Sequence, residues 1–444
     1  MRGGWMLGGW RWARACLWVL MATGIASPVE AQIGAGALAG NVVDQAGAAV
    51  PGATVTATAP GTNLSRTAVT GRDGGYSLQG LAPGSYRVRV ELSGFRPLTR
   101  EGIRLATGET VRLDLQLGIG GVAEAVTVTA DAPLLRGETS GLGHVIDNRK
   151  MADLPLNGRN FVTLAGLVPG VALPPGSSLP RINGGRPRTN EYLFDGISVL
   201  QPEPGQVAFF PNIDAIQEFK IESNSPPAEF GRFNGGVVNL TTKAGSNALR
   251  GSAFEFFRNE ALNARNYFAS TNPVKPQFRR SQFGGVLGGP IRRNQTFFFA
   301  DYQGQRQSIG RTVISTVPTL LQRQGVFTEA IGGRVPAVYD PATTAASPAG
   351  GSIRSPFPGN TIPVERMDPV ARALMERYPL PTSAGTANNY RRVDNETVDQ
   401  DQFSLRIDHR FPSSRDQVFG RLTRFREEFI PVTPLPDGSG VTSG

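Results

Sequence analysis

The sequence predicts a mainly β protein, with a small β-sandwich first, a mixed α+β segment next, and strands of the membrane-barrel type last. Three observations carry this prediction. The 444 residues include 55 Gly, 34 Pro and 24 Phe, a profile of turns and short strands rather than helices. Several segments alternate polar and apolar residues with the period of two that a strand imposes. Beyond the N-terminus no stretch approaches the roughly 18 consecutive apolar residues of a membrane helix. That excludes a helical span and leaves open a closed barrel, in which every backbone group pairs with a neighbouring strand.

Residues 1–31 have the layout of a secretory signal peptide. Arg2, Arg11 and Arg14 make a basic start, Ala15 to Ala26 is an apolar run, and Val29-Glu30-Ala31 places a small residue ahead of Gln32. The run is too short to cross a hydrocarbon layer of ~30 Å as a helix. Cys16, the only cysteine, lies at the start of this run and not at the cleavage point where a lipoprotein needs it. The rest of the chain therefore has no disulfide and no thiolate metal site. Of the formal charge of +9, the leader supplies +2, three Arg minus Glu30. The remaining arginines are spread out, without a basic cluster interleaved with stacking aromatics. No nucleic-acid partner is expected, and export argues against one.

Residues 34–117 read as the sandwich. Ala53 to Ala57 (ATVTA), Tyr86 to Leu92 (YRVRVEL) and Val111 to Leu117 (VRLDLQL) alternate in strand period. Tyr86, Val88, Val90 and Leu92 share one face, as do Val111, Leu113, Leu115 and Leu117. Asp44 to Gly47, Gly71 to Gly75 and Ala82 to Gly84 carry turn chemistry between them. About seven short strands at this spacing indicate two packed sheets. The segments GNVVDQAGAAVPGATVTA and TGRDGGYSLQGLAPGSYRVRVELSGF resemble the carboxypeptidase regulatory-like domain, a transthyretin/Ig-like sandwich. That domain carries no peptidase chemistry, and this stretch has no His or Cys to build a zinc site. The resemblance implies a periplasmic accessory module, either binding a glycan or partner or serving as a spacer.

Residues 118–132 form a linker around Glu124 to Ala130 (EAVTVTA), a β-prone segment between Gly118, Gly120, Gly121 and Asp131-Ala132-Pro133. Such a segment can pair with a foreign sheet edge. It resembles the TonB box of outer-membrane transporters, which lies between accessory domain and plug. The resemblance makes Glu124, Ala125, Val126, Thr127, Val128, Thr129 and Ala130 the contact for the TonB–ExbB–ExbD energy-coupling complex. The alternative is an ordinary edge strand of the sandwich or of the next domain.

Residues 133–249 contain Met151 to Val171 (MADLPLNGRNFVTLAGLVPGV), with a short helical stretch expected around Phe161 to Leu167 between Pro155, Gly158, Pro169 and Gly170. RINGGRPRTN (181–190), YLFDG (192–196) and GGVVNLTTK (235–243) follow. The run is similar to the plug of Oar-like TonB-dependent receptors, in which LPLNGRNF, N-x-Y-x-x-DG and GGVVNLTTK recur in this order. The similarity is strong over residues 124–310 and weaker afterwards. A plug fills a barrel lumen and is rearranged by force, so it is expected to contact the wall through many exchangeable polar groups rather than one dry apolar core. Asn157, Arg159, Asn160, Arg181, Asn183, Arg186, Arg188, Asn190 and Asp195 are the polar residues assigned to this role. Glu218, Glu222 and Glu229 are available as partners for the arginines.

Residues 250–444 read as a partial transmembrane β-barrel. The expected strands are Ser252 to Arg258, Gln282 to Gly289, Thr296 to Gln303, Arg311 to Val317, Gln402 to Arg410 and Gln417 to Phe425. In the fifth, Phe403, Leu405, Ile407 and then Phe411 face one way, while Gln402, Ser404, Arg406, Asp408 and Arg410 face the other. That is the pattern of a strand apolar toward lipid and polar toward a lumen; a soluble β-domain with one wet face alternates in the same way. RRNQ (292–295) and PSSRD (412–416) are short turns, and Thr319 to Asp401 is a long outer loop with a helix near Val370 to Tyr378. Plugged transporters close with about 22 strands. About six are legible here, so the barrel is expected to be incomplete and the sequence to be part of a longer protein.

Catalytic constellations were sought as well. His144 and His409 are the only histidines, and neither has a partner at catalytic or metal-binding spacing; both are expected to pack in strands. G-x-x-x-x-G-K-[ST], G-x-G-x-x-G and G-x-S-x-G are absent. No enzyme and no cofactor is expected. The resemblance implies active import of a siderophore or oligosaccharide across the outer membrane, with that membrane's lipid around the barrel; relatives of Oar are also linked to protein export. A periplasmic or surface carbohydrate-binding protein that transports nothing is the competing reading.

Overall fold

The computed structural model describes residues 35–120, 126–129, 142–154, 156–174, 177, 179–201, 207–224, 226, 230, 233–264, 275–411 and 416–439. The expected signal peptide lies outside them. Contacts group into two compact units. One holds the sandwich, the middle domain and the short segments 289–298 and 407–419; the other holds the rest of the late strands and the long loop.

The sandwich is built from β1 (Gly36–Val43), β2 (Thr54–Ala59), β3 (Leu64–Val69), β4 (Gly75–Leu81), β5 (Gly84–Glu91), β6 (Leu98–Leu105), β7 (Thr110–Arg112) and β8 (Leu115–Gln116). One sheet has the order β4-β1-β7, with β8 also on β1. The other has the order β3-β2-β5-β6, continued by β9 (Val126–Thr129). The core is the predicted set of inward residues. Tyr86, Val88 and Val90 are buried while Arg87, Arg89 and Glu91 are exposed, and Leu38, Val42, Leu78 and Ile103 come in from other strands. Alternation thus places one face of each strand in a dry interior, which is worth roughly 25 cal/mol per Å² of apolar surface.

Val111 to Leu117 is not one strand. It splits into β7 and β8, both parallel to β1. The Asp114 carboxylate accepts from Asn41 N–H at 2.8 Å, taking the place of a ladder carbonyl. Gly40 permits the approach, since a Cβ there would lie 2.1 Å from Leu113 O.

The middle domain contains β10 (Leu142–Asp147), α1 (Asn148–Asp153), the hairpin β11 (Val171–Ala172) and β12 (Arg181–Ile182), then β13 (Glu191–Phe194), β14 (Ile197–Ser198), β15 (Ile216–Asn224) and β16 (Val237–Thr242). Its sheet has the order β10-β15-β16-β13-β14, with β13 parallel to β16. A 3₁₀ turn over Phe161–Leu167 packs on it, as expected. One apolar core underlies the domain. Phe161 stacks on Phe219 at 5.2 Å, and Met151, Phe194, Ile213, Ile216, Ile221 and Leu240 are buried around them. The core residues lie between the polar motif positions, on short elements whose periodicity is too brief to read.

The late strands are β17 (Arg250–Asn259), β18 (Phe278–Arg292) and β19 (Thr296–Ser315), followed after the long loop by β22 (Tyr390–Arg410) and β23 (Gln417–Ile430). They form one sheet in the order β17-β18-β19-β22-β23, open at both ends among the described residues. Arg311 to Val317 is not a separate strand but largely the far half of β19. Gly304 and Gly310 lie between the two segments expected as strands. Both are extended, and a Cβ on Gly304 would press into the Phe283 ring at 2.6 Å, so the residue serves close packing. Of the expected short turns, Arg292 to Gln295 joins β18 to β19, with Gln295 N–H donating to Arg292 O at 3.1 Å. Residues 412–415 of the other lie outside the described residues.

The loop between β19 and β22 runs from 316 to 389, shorter than expected because residues 390–401 are already strand. That part of β22 (YRRVDNETVDQD) is polar on both faces and shows no alternation. The loop holds α2 (Leu320–Arg323), the hairpin of β20 (Ala345–Ala346) and β21 (Ser352–Ile353), and α3 (Pro369–Arg377) where a helix was expected. Polar side chains fold it. The Arg323 guanidinium donates to Pro318 O, Met375 O and Pro379 O, and Asn360 bridges Val338 N–H to Pro336 O. Among the described residues no helix is long and apolar enough to cross a membrane.

Leu38 is fully buried in the sandwich. The Leu38→Ala variant of the whole chain is expected to lose about 2–5 kcal/mol of sandwich stability through lost transfer energy and a residual cavity. Native-state hydrogen exchange of the β1 and β4 amides checks this, with the late strands as the internal reference.

Candidate coupling site

Glu124, Ala125 and Ala130 of the candidate coupling segment lie outside the described residues. Val126, Thr127, Val128 and Thr129 form β9, which is not isolated. It runs parallel to β6, with Leu98 opposite Val126, Thr99 opposite Thr127, Arg100 opposite Val128 and Glu101 opposite Thr129. The described register sets Glu101 opposite Thr129 beside the β6 bulge at Gly102, whose φ of 76° suits a residue without Cβ. Just before β9 the chain is tied down twice. Arg96 N–H donates to Gly118 O at 2.8 Å, and Phe95 bridges to Ile119. The arrangement found is the sandwich-edge alternative.

β6 leads at its other end into a joint with the middle domain. In the turn to β7, Thr107 donates to the Glu218 carboxylate from both its N–H and its hydroxyl, the latter at 2.7 Å. The Thr107 hydroxyl also lies 2.8 Å from that of Thr241. Lys220, on the same face of β15 as Glu218, reaches Gly108 O at 3.4 Å and pairs with Glu222 at 2.8 Å. Thr107 and Glu218 are 0% and 3% exposed, so this is a desolvated joint in which each bond replaces water. A second tie is the Arg104–Asp147 ion pair at 3.1 Å. Asp147 also caps α1 by accepting from Lys150 N–H at 3.0 Å. That backbone bond first, and Arg104 beside it, hold the Asp147 carboxyl below the usual carboxylate range.

The sequence showed no sign of this joint. Glu218, Lys220 and Glu222 alternate with Phe219 and Ile221, which reads as a wet strand face; the sandwich turn covers it instead. Among the described residues Glu218 and Glu222 take Thr107 and Lys220, not the motif arginines. Glu229 lies outside them.

The assigned polar residues divide into two groups. Arg159, at φ 53°, forms an ion pair with Asp214, and burial draws its pKa down. Asn160 caps the 3₁₀ turn by accepting from Val162 N–H at 3.0 Å. Asn190, 2% exposed, donates to Pro180 O at 2.7 Å and accepts from Gly236 N–H at 3.1 Å. Asn183 donates to Ser223 O. Asp195 and Gly196, at φ 50° and 85°, make the two-residue turn between β13 and β14. The Asp195 carboxylate then accepts from Thr242 N–H at 2.9 Å and from its hydroxyl at 2.7 Å. These five are internal braces.

They also join the N-x-Y-x-x-DG motif to GGVVNLTTK at both ends. YLFDG is latched to the end of GGVVNLTTK through Asp195 and Thr242, and RINGGRPRTN to its start through Asn190 and Gly236. A Cβ on Gly235 would lie 2.1 Å from Asn190 Oδ1, and one on Gly236 2.5 Å from Ile182 Cδ1. Asn157, Arg181, Arg186 and Arg188 form the second group and are exposed. His144 is exposed on β10, not packed as expected, and His409 Nδ1 lies 2.9 Å from the Thr296 hydroxyl.

The late strands invert the usual burial. Gln282, Gln402 and Ser404 are 3%, 4% and 8% exposed, while Leu287, Phe403 and Ile407 on the opposite face are 46%, 43% and 41% exposed. Gln282 donates to Gln305 at 2.8 Å on the polar side. Such a sheet is stable where its outer side meets hydrocarbon.

Asp147 supplies a pH test. With its pKa lowered in the fold, its contribution is complete above the ordinary carboxylate value of about 3.9 and is lost as pH falls through the folded pKa. The protection lost from the β10 amides in Asp147→Asn, measured by hydrogen exchange, is therefore expected to be greatest near neutrality and to shrink in acid. A deficit equal at every pH would contradict the role.

Residues 37–118 match the model of the Carboxypeptidase regulatory-like domain, and residues 241–443 that of the Outer membrane beta barrel domain. A TonB-dependent transporter, Oar of Myxococcus xanthus, is 30% identical over 301 residues, covering 64% of this chain and 28% of that protein. The chain thus spans under a third of the length of that relative. The siderophore receptor PirA of Acinetobacter baumannii aligns over 65% of this chain and 32% of its own, at 15% identity and a TM-score of 0.35. Hydroxyquinol 1,2-dioxygenase of Pseudomonas putida aligns over 22% and 58%, at 12% identity and a TM-score of 0.17. Neither structural likeness is close enough to carry an argument. The chain is an outer-membrane protein that carries a carboxypeptidase regulatory-like domain and an outer membrane β-barrel domain, and it is a homologue of the TonB-dependent transporter Oar.

Proposed function

We propose that the chain belongs to an active transporter or receptor of the outer membrane, which takes up a large ligand of the siderophore or oligosaccharide class. The observation that carries this reading is the identity with a TonB-dependent transporter across 64% of the chain. In this reading the middle domain is the plug. Its five polar braces hold the resting state, and its exposed Asn157, Arg181, Arg186 and Arg188 meet the barrel wall or the ligand. The TonB–ExbB–ExbD complex supplies the energy by adding a strand to residues 124–130, since backbone hydrogen bonds loaded together in shear carry force without a specific side-chain pocket. The chain itself performs no catalysis. Inverted burial in the late strands favours this over a soluble carbohydrate-binding sandwich.

In energised cells, a Val126→Cys variant is expected to form a disulfide adduct with a cysteine-bearing TonB, and Val126→Pro with Val128→Pro, which removes two backbone donors, is expected to abolish uptake. Growth on ferric siderophores against growth on oligosaccharides separates the ligand classes. Absence of an adduct under energised conditions would count against coupling at this segment.

A further inference from the structure

We infer that the sandwich is the resting dock of the coupling strand, so that β6 and the energising partner compete for one segment of backbone. The inference rests on the coupling reading above and adds a regulatory step to it. Residues 126–129 already spend one edge on β6, in the parallel register that sets Thr99 opposite Thr127 and Glu101 opposite Thr129. A foreign strand can reach them only by displacing β6 or by stacking onto the outer edge of the sandwich sheet.

Three features favour displacement. The parked pairing is parallel, the weaker ladder type, and its described register lies beside the Gly102 bulge. β6 does not depend on β9. It remains paired with β5 and keeps Leu98, Ile103 and Leu105 in the core, so the sandwich survives the loss of its outermost strand. The dock is also fixed in place. The chain continuing from β6 is held to the middle domain by Arg104–Asp147 and by Thr107 on Glu218, so a pull on β9 works against a braced edge. Parking further covers the backbone groups of a lone edge that would otherwise pair with another chain.

Locking β9 to β6 tests this. Neighbouring strands lie about 4.8 Å apart, within the Cα separation a disulfide spans. In a Cys16→Ser background of the whole chain, Thr99→Cys with Thr127→Cys is oxidised or reduced, and binding of the purified periplasmic C-terminal domain of TonB is measured in detergent. Glu101→Cys with Thr129→Cys is the second pair, should the first fold poorly.

The reduced protein is expected to bind like the Cys16→Ser chain, and the oxidised protein at least about tenfold more weakly, a difference of about 1.4 kcal/mol. Equal binding in both states would overturn the competition while leaving coupling intact. Failure of the disulfide to form in either pair would overturn the parked pairing. Failure of the Cys16→Ser chain to bind would overturn the coupling reading, and the inference with it.

Discussion

In hydrocarbon no water is available to satisfy a backbone N–H or C=O, so a chain that crosses it as strands must pass each ladder of hydrogen bonds to the next strand and turn its apolar side chains outward. The late strands answer both demands. β17, β18, β19, β22 and β23 pair in succession, with Gln282, Gln402 and Ser404 covered and Leu287, Phe403 and Ile407 facing out. β22 runs for 21 residues, about twice what a tilted strand needs to cross a bilayer. Its surplus is the polar stretch from Tyr390, which leads back from the long loop.

The same economy of strand edges organises the other compact unit. The sandwich sheet that ends in β6 is extended by β9, and the sheet of the middle domain is bound to the sandwich turn through Glu218. The contacts of Thr107 with Glu218 are polar and nearly dry. Breaking them exposes groups that water can solvate again, so the unit can be opened at a modest net cost per hydrogen bond. The apolar cores on either side, around Val90 and around Phe219, are separate clusters. The proposed coupling under load is served by that division: stiff cores joined by exchangeable polar contacts.

Sequence reasoning reached the parts governed by local periodicity. Tyr86, Val88 and Val90 were legible as an inward face, and Gln402 to Arg410 as a wall strand, because alternation acts residue by residue. Turn chemistry located the Asp195-Gly196 hairpin. Nonlocal choices were beyond its reach. The continuity of β19 through Gly304 and Gly310 was not legible, because glycine serves a turn and a close crossing alike. Asn190 and Asp195 looked like exchangeable surface groups because nothing near them in sequence names Gly236 and Thr242 as their partners. The buried role of Glu218 was hidden for the same reason: its partner Thr107 lies in another domain.

The central claim is that the apolar face of the late strands meets lipid. Spin labels at Gln402, Phe403, Ser404 and Ile407 in the membrane-embedded protein test it directly by their collision rates with oxygen and with a water-soluble nickel chelate. The account predicts oxygen-dominated relaxation at Phe403 and Ile407, with low oxygen access at Gln402 and Ser404. Nickel-dominated relaxation at Phe403 and Ile407 would show a wet outer face and contradict it.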